Sequence, residues 1–158
     1  MTSAEWNEDF LDLVDCLNAE GAEYLVVGAF ALAAHGLPRA TGDLDVFVRP
    51  VAENARRVHA ALSKFGAPLS VAQVAAEDFA RPGAVYQLGL VPRRIDILTE
   101  LSGVSFDEAW ASSVVREIHG LPLRFIGYDA LLLNKRTTGR EKDARDAADL
   151  ELVNARRD

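Results

Sequence analysis

The chain has 158 residues, of which 49% are hydrophobic and 26% are charged, and its formal net charge is −7. This length and composition predict one compact domain over residues 1–158 with a sizeable hydrophobic core. The negative net charge disfavours a protein that coats nucleic acid, although basic residues between Lys135 and Arg145 can still form a local positive surface. A small phosphate compound is therefore the expected ligand.

The N-terminal charge, the cysteine content and the length of the apolar runs all bear on cellular location. The N-terminal segment carries acidic residues where a signal peptide requires positive charge, and Cys16 is the sole cysteine, so no internal disulfide is expected. The longest apolar run, Tyr24 to Ala34, is too short to cross a bilayer. We therefore expect a cytoplasmic protein with no membrane partner.

The first half of the chain is predicted to alternate helices and strands. Thr2 and Glu5 fit a helix-capping box, and apolar residues recur at helical spacing from Trp6 to Leu17, which predicts an opening amphipathic helix that ends at Gly21. Residue propensities, and the glycines and prolines between the segments, predict the elements that follow. These are a strand over 24–27, a helix over 28–34, a strand over 44–48 and a helix over 52–65.

The second half mixes shorter elements. A short helix is expected over 71–79, and strands over 85–90 and 94–98 are expected to form a hairpin or one bent pair. A helix over 106–112, strands over 114–118 and 121–126, and helices over 128–136 and 141–154 follow. This order predicts an α/β (α+β) fold in which helices pack on a small mixed sheet, with a C-terminal helical pair at about 128–155.

Asp43 and Asp45 form the most informative pair in the sequence. They are one residue apart at the start of the strand predicted over 44–48, and alternate side chains of a strand share a face, so the two carboxylates should project together. Two carboxylates held that close either share a proton or bind a cation. Oxygen ligands on a rigid strand suit Mg²⁺, which keeps water molecules and bridges to substrate phosphates. The pair therefore predicts metal-assisted phosphate chemistry.

Asp96 is the third candidate ligand. It lies between Ile95 and Ile97 on a short predicted strand, where a carboxylate is costly to bury unless a cation or hydrogen-bond donors compensate for it. If this strand lies beside the strand of Asp43 and Asp45, three carboxylates meet on one face and can hold Mg²⁺, or Mn²⁺, together with a triphosphate. Asp96 would then bind a second metal ion or take the proton of the attacking hydroxyl.

Gly28 and Ala29 lie where a predicted strand ends and a helix begins. Backbone N–H groups at a helix start can bind phosphate oxygens, and small side chains permit a ligand to approach closely. A single glycine after a strand is more often simply a turn, but its distance from the two aspartates supports a phosphate-facing role.

Structural explanations of the same residues remain open at this stage. Each aspartate could be a strand-edge residue in a salt bridge with Arg39, Arg93 or Arg94. The basic residues between Lys135 and Arg145 could form a solvated helix face that pairs with neighbouring acids and adds little stability.

A family resemblance rests on the segment from Val26 to Val48, V-V-G-A-F-A-L-A-A-H-G-L-P-R-A-T-G-D-L-D-V-F-V. It resembles the glycine turn and D-x-D motif of the minimal nucleotidyltransferases of the DNA polymerase β superfamily, especially the AbiEii-like branch associated with toxin–antitoxin systems. The resemblance covers residues 24–153 and departs at Ala29, where the family usually has glycine or serine. The acid at Asp96 agrees with it, as does the C-terminal pattern of Leu131, Lys135, Arg140, Lys142, Asp143 and Asp146.

This resemblance implies a nucleotidyltransferase fold and a magnesium-dependent transferase. Asp43, Asp45 and Asp96 would be the catalytic carboxylates and the metal ligands. The residues that it places near the nucleotide are Gly28, Ala29, Arg39, Thr41, Lys135 and Lys142.

The leading interpretation is transfer of a nucleoside monophosphate from an NTP to a hydroxyl of a protein or of RNA, including tRNA, with release of pyrophosphate. A chain of this length has no evident acceptor-binding domain, so a cognate toxin or antitoxin, or a second copy, is expected to complete the acceptor site. The alternatives are a binding or regulatory module of the same fold with weak or absent catalysis, and a metal-dependent phosphohydrolase.

Overall fold

A computed structural model describes residues 6–39, 42–90 and 93–157. Its six strands are β1 (Tyr24–Val27), β2 (Leu44–Val48), β3 (Val85–Leu88), β4 (Ile95–Leu98), β5 (Val114–Ile118) and β6 (Leu121–Phe125). Its α-helices are α1 (Glu8–Ala19), α2 (Gly28–Ala34), α3 (Ala52–Phe65), α4 (Phe106–Ala111), α5 (Tyr128–Thr137) and α6 (Glu141–Arg157), with a 3₁₀ helix over Ala76–Ala80.

The strands form one mixed sheet in the order β3-β4-β2-β1-β6-β5. β2 pairs antiparallel with β1 and parallel with β4, and β1 also pairs parallel with β6. The outer strands β3 and β5 are antiparallel to β4 and β6. This mixed sheet with packed helices confirms the predicted α/β (α+β) class, and β3 with β4 forms the predicted pair.

Most predicted elements are confirmed with small changes at their ends. The short helix expected over 71–79 is confirmed only in its second half: residues 69–73 are turns, Gln73 has a left-handed φ of 57°, and a 3₁₀ helix begins at Ala76. The expected Thr2–Glu5 capping box lies outside the described residues. Within them, α1 begins at Glu8 and its N-cap is Asn7, whose Oδ1 accepts a hydrogen bond from the Phe10 N–H at 2.9 Å.

The two faces of the central strands have different character. Leu44 and Val46 on β2, and Ile95 and Ile97 on β4, are 0–3% exposed and belong to the hydrophobic core. Alternation along a strand places the acidic residues of β2 and β4 on the opposite face. Core packing therefore determines which way the acidic side chains point. No helix in the described ranges is both long and apolar enough to cross a bilayer.

Asn54 of α3 fastens β1 to β2 at the end of the pair that is remote from the acidic residues. Its side chain is 2% exposed, and its Oδ1 accepts a hydrogen bond from the backbone N–H of Glu23 at 2.7 Å. Its Nδ2 donates to the backbone oxygens of Glu23 and Arg49, both at 3.0 Å. One buried amide thus binds three backbone groups at the ends of β1 and β2.

Replacing Asn54 should therefore lower the free energy of unfolding. We expect Asn54→Ala to cost about 2 to 4 kcal/mol, because it removes three hydrogen bonds that join the side chain to the backbone. Arg56→Ala on the same helix is the matched control, since Arg56 is exposed, and should change stability by less than about 0.5 kcal/mol. Urea unfolding measures both, and equal stabilities of the two variants would contradict this role.

Candidate active site

The start of β2 and β4 borders a cavity of about 570 Å³ that collects most of the predicted functional residues. Every one of them that the structure describes lines this cavity, whereas Thr41 lies outside the described residues. Their roles in binding or catalysis stay predictions. The lining residues are Gly28, Ala29, Leu32, Arg39, Asp43, Asp45, Arg94, Asp96, Leu98, Lys135, Arg140, Lys142, Asp143 and Asp146.

The pairing of β2 with β4 brings Asp45 and Asp96 together. In this parallel pair the Cα partner of Asp45 is Asp96, so their side chains leave the sheet on the same face and on neighbouring strands. Asp43, two residues before Asp45, reaches the same cavity, and its Oδ1 accepts a hydrogen bond from the backbone N–H of Arg94 at 3.0 Å. Three carboxylates from two separate segments therefore face one cavity.

Asp45 has an unusual proton affinity. The pKa of Asp45 is raised from 3.8 to about 6, first by burial of the side chain and then by the negative charges of Asp96 and Asp43. Lys135 and Arg94 oppose the shift but do not cancel it. Above pH 6 the protein therefore holds a carboxylate whose charge is incompletely compensated.

Arg94 compensates the other two carboxylates. Its Nε donates to Asp96 Oδ1 at 2.8 Å and its Nη2 donates to Asp96 Oδ2 at 3.2 Å, which is a bidentate pair. The same Nη2 lies 3.7 Å from Asp43 Oδ2. The hydrogen bond to Asp96 raises the pKa of Arg94. The sequence left open that the aspartates form salt bridges with arginine, and both of these aspartates do so with Arg94. Arg94 and Asp96 are two residues apart and share one strand face, which is the sequence signal for their pairing.

The carboxylates fit a hard divalent cation by their chemistry, since all offer oxygen and Asp45 lacks a full counter-charge. Asp43 and Asp45 are the residues best able to hold it. Asp96 differs from them, because both of its oxygens accept hydrogen bonds from the Arg94 guanidinium. Across residues 6–39, 42–90 and 93–157, no three acidic, histidine or cysteine side chains are already arranged as a metal centre. The predicted carboxylates thus share a cavity without forming a ready three-ligand site.

Gly28 accommodates the Asp45 side chain. The residue has a left-handed φ of 66°, and a Cβ added to it would overlap Asp45 Oδ2. Glycine is therefore required at this position both by the backbone conformation and by the close approach of the carboxylate. The sequence predicted a turn that faces phosphate, and this stays a prediction, whereas the structure shows that Gly28 faces Asp45.

The C-terminal helical pair supplies a buried charge network beside the carboxylates. Lys135 Nζ donates to Asp143 Oδ1 at 3.1 Å and lies 3.6 Å from Asp146 Oδ2, and both acids are 4% exposed. Arg39 Nε donates to Asp146 Oδ1 at 3.0 Å, and Arg140 Nε donates to Asp143 Oδ2 at 2.8 Å. The interpretation of this region as a solvated face therefore does not hold for Asp143 and Asp146.

The same network affects the charge available to a ligand. Burial opposes ionisation of Asp143, but hydrogen bonds from Thr138 and Lys135 outweigh it and lower its pKa. Asp143 thus stays ionised and offsets the positive charge of Lys135, which lines the cavity as an already paired group. Lys142 is exposed at the same cavity. Sequence reasoning named Asp143 and Asp146 as part of a motif but missed that they anchor Lys135 and Arg39.

The raised pKa of Asp45 predicts a pH-dependent stability in the absence of metal. Because the folded state raises this pKa, the stability contributed by Asp45 is present below about pH 4 and is lost as the pH rises to about 6. Asp45→Asn removes the charge, so at about pH 7.5 with EDTA it should unfold with about 1 to 3 kcal/mol more free energy than the unmodified protein. The gap should close towards about pH 4. Urea unfolding across this pH range measures it, with the exposed Asp15→Asn as control, and a destabilised Asp45→Asn at neutral pH would count against it.

Gly28→Ala tests the contact with Asp45. The matched control is Gly21→Ala, because Gly21 has a similar φ of 68° but nothing within 4 Å of an added Cβ. The control carries only the left-handed strain of about 1 to 2 kcal/mol, whereas Gly28→Ala should lose at least about 2 kcal/mol more through its overlap with Asp45. Thermal or urea unfolding compares the two, and equal losses would show that Asp45 does not require the glycine.

Several solved structures resemble this fold. The chain matches TM1012 of Thermotoga maritima, a protein classified as a nucleotidyltransferase, with a TM-score of 0.59 and 16% identity over 84% of each chain. It matches the lincosamide antibiotic adenylyltransferase LnuA with a TM-score of 0.56 and 13% identity over 96% of this chain and 99% of that one. ANT(2")-Ia, in complex with adenylyl-2"-tobramycin, gives 0.51 and 13% over 91% of each chain.

By sequence alone, no family model and no curated protein matches the chain. Identities of 13–16% establish a shared fold rather than a shared substrate. Membership of the AbiEii-like branch therefore stays a prediction. The chain has the nucleotidyltransferase fold that its glycine turn and D-x-D motif predict.

Proposed function

We propose that this protein is a nucleotidyltransferase that moves a nucleoside monophosphate from an NTP to an acceptor hydroxyl and releases pyrophosphate. The observation that carries the proposal is the pairing of Asp45 with Asp96 beside Asp43, facing a cavity with a basic rim on the nucleotidyltransferase fold. Neither the fold nor the carboxylate arrangement is sufficient alone, because a fold does not determine activity and acidic residues often have a structural role.

Mg²⁺, or Mn²⁺, is the proposed cofactor, held by Asp43 and Asp45 with Asp96 as the third ligand. When bound, such an ion offsets the charge of the triphosphate and of the departing pyrophosphate. Gly28 and Ala29 line the cavity, and the small side chain of Ala29 leaves room for a phosphate to approach. Asp96 accepts the proton of the attacking hydroxyl when it is not occupied by a second ion.

The basic residues of the cavity orient the triphosphate in this proposal. Lys142 and Arg140 are exposed at the cavity and can turn towards phosphate oxygens. Arg39 is held beside them by Asp146 and Asp149, at 3.0 Å and 2.7 Å. Lys135 contributes less net charge than expected, because Asp143 and Asp146 already offset it.

The acceptor is proposed to be a hydroxyl of a protein or of RNA, including tRNA, with a cognate toxin or antitoxin as the partner in a cytoplasmic setting. The resemblance of the glycine turn and C-terminal helical pair to the toxin–antitoxin branch supports this choice. LnuA is described as an antibiotic adenylyltransferase and ANT(2")-Ia is in complex with adenylyl-2"-tobramycin, so small-molecule hydroxyls belong in the acceptor panel as well. A small helical protein encoded next to this chain would support the toxin–antitoxin setting.

The test measures Mg²⁺-dependent transfer from α-labelled NTPs to a panel of proteins, RNAs and small alcohols. Asp43→Asn and Asp45→Asn should each lower transfer at least about a hundredfold, because each replaces a carboxylate that would hold the divalent cation and thereby weakens the charge stabilisation of the triphosphate. Asp15→Asn, an exposed change on α1, should leave transfer unaltered. Undiminished transfer by either site variant, with folding verified by circular dichroism, would reject the assignment.

A catalytically weak binding or regulatory module is the second candidate, favoured by the engagement of Asp96 and Asp43 with Arg94. Calorimetry with Mg²⁺ and ATP or CTP separates the two functions. The enzyme requires Mg²⁺-dependent nucleotide binding, whereas the module predicts none while its partner still binds. A phosphohydrolase would instead release phosphate and label no acceptor.

A further inference from the structure

We propose that Arg94 competes with the divalent cation for Asp43 and Asp96, so that the guanidinium must leave these carboxylates before the cation is fully bound. The inference rests on the proposed function for the identity of the ligand. Its physical basis is a set of contacts within the protein.

Arg94 groups face all four oxygens of the two carboxylates. Its Nε and Nη2 donate to the two oxygens of Asp96 at 2.8 Å and 3.2 Å. Its backbone N–H donates to Asp43 Oδ1 at 3.0 Å, and Nη2 lies 3.7 Å from Asp43 Oδ2. A cation that binds between Asp43 and Asp96 would therefore meet a guanidinium that is hydrogen-bonded to both Asp96 oxygens and lies close to one Asp43 oxygen.

Both positive groups cannot hold the same oxygen positions at full strength. The guanidinium and a divalent ion repel each other, and the Arg94 hydrogen bonds already use part of the lone-pair capacity of both Asp96 oxygens. Arg94 is joined to Asp96 and Asp43, whereas no hydrogen bond or ion pair joins it to Asp45 in the described part of the chain. The cation thus meets Asp45 first and displaces Arg94 afterwards.

The position of Arg94 permits this displacement. Its side chain is 29% exposed and lines the cavity, so the guanidinium can swing away from Asp96 without opening the hydrophobic core. Asp96, with a side chain that is 11% exposed, cannot follow it into solvent. Once released, the guanidinium faces the space where the triphosphate is proposed to lie and can donate to phosphate oxygens.

This arrangement couples cation and nucleotide binding. A nucleotide that accepts hydrogen bonds from the released Arg94 favours the state in which the carboxylates are open to the cation. By thermodynamic linkage, each ligand then raises the affinity of the other. In the unmodified protein the cation alone should bind weakly, and the two ligands together should bind more tightly.

The first experiment measures Mn²⁺ affinity by calorimetry or paramagnetic resonance for the unmodified protein and for Arg94→Ala. Loss of a bidentate charged contact should raise the affinity for Mn²⁺ alone by about tenfold to a hundredfold. Addition of an NTP analogue should raise it further in the unmodified protein, and by a smaller factor in Arg94→Ala.

Arg93→Ala is the matched control, because it removes the same charge from an exposed neighbour that forms no ion pair with residues 6–39, 42–90 or 93–157. It should alter Mn²⁺ affinity by less than about threefold, as expected for screened surface charge. Equal effects of Arg93→Ala and Arg94→Ala, or weaker Mn²⁺ binding by Arg94→Ala, would overturn the proposal.

A second measurement on the unmodified protein covers the case in which Arg94→Ala does not fold. The Nε–H resonance of Arg94 in ¹⁵N-labelled protein can be identified by its absence in Arg94→Lys. Saturation with Mg²⁺ and an NTP analogue should shift this resonance, because its partner Asp96 is lost. A resonance that keeps its position at saturation shows that Arg94 stays in place, and the inference fails.

The two proposals can fail separately. If Asp43 and Asp45 are needed for nucleotide transfer but Arg94→Ala binds Mn²⁺ like the unmodified protein, the competition is wrong and the enzyme assignment stands. If Arg94→Ala binds Mn²⁺ more tightly but no variant transfers a nucleotide, the competition stands and the enzyme assignment fails.

Discussion

The parallel pairing of β2 with β4 is the constraint on which the rest of the site depends. It places Asp45 opposite Asp96 on the face of the sheet that is opposite to Leu44, Val46, Ile95 and Ile97. Carboxylates held that close in a partly buried position are unfavourable unless cations or hydrogen-bond donors compensate for them. The raised pKa of Asp45 is the direct expression of this cost. The groups around the cavity offset part of this negative charge, and the cavity keeps the carboxylates accessible to a ligand.

Two layers of compensation surround the carboxylates. In the inner layer, the forked guanidinium of Arg94 holds Asp96 and reaches Asp43, while Gly28 yields space to Asp45. In the outer layer, buried acids of α6 pair with basic side chains from other elements, and these salt bridges hold the basic side chains in position. Removing one partner from such a buried network leaves the charge of the other partner uncompensated, so the two layers depend on each other. A ligand that brings its own positive and negative charges can replace contacts in both layers.

Periodicity and local chemistry were enough to predict much of this architecture. The alternation of apolar and acidic residues at 43–48 and 94–98 predicted two strands with one acidic face, and the structure has both. Sequence reasoning failed over the first half of 71–79, where Gln73 adopts a left-handed conformation that no propensity indicates. It also left the partners of each acid open, because a spacing identifies which side chains share a face but not which distant segment lies opposite them.

The amino-acid sequence by itself determined the order of elements, that Asp43 and Asp45 project to the same side of one strand, and that a glycine turn follows the first strand. These properties follow from backbone geometry and side-chain alternation, which are local. Only the tertiary structure decided that Asp45 is paired with Asp96, that Arg94 already engages two of the three carboxylates, and that Lys135 is held by Asp143 and Asp146. Those outcomes depend on strand order and on charges brought together from distant parts of the chain, and charge compensation in a buried site is a property of the assembled fold.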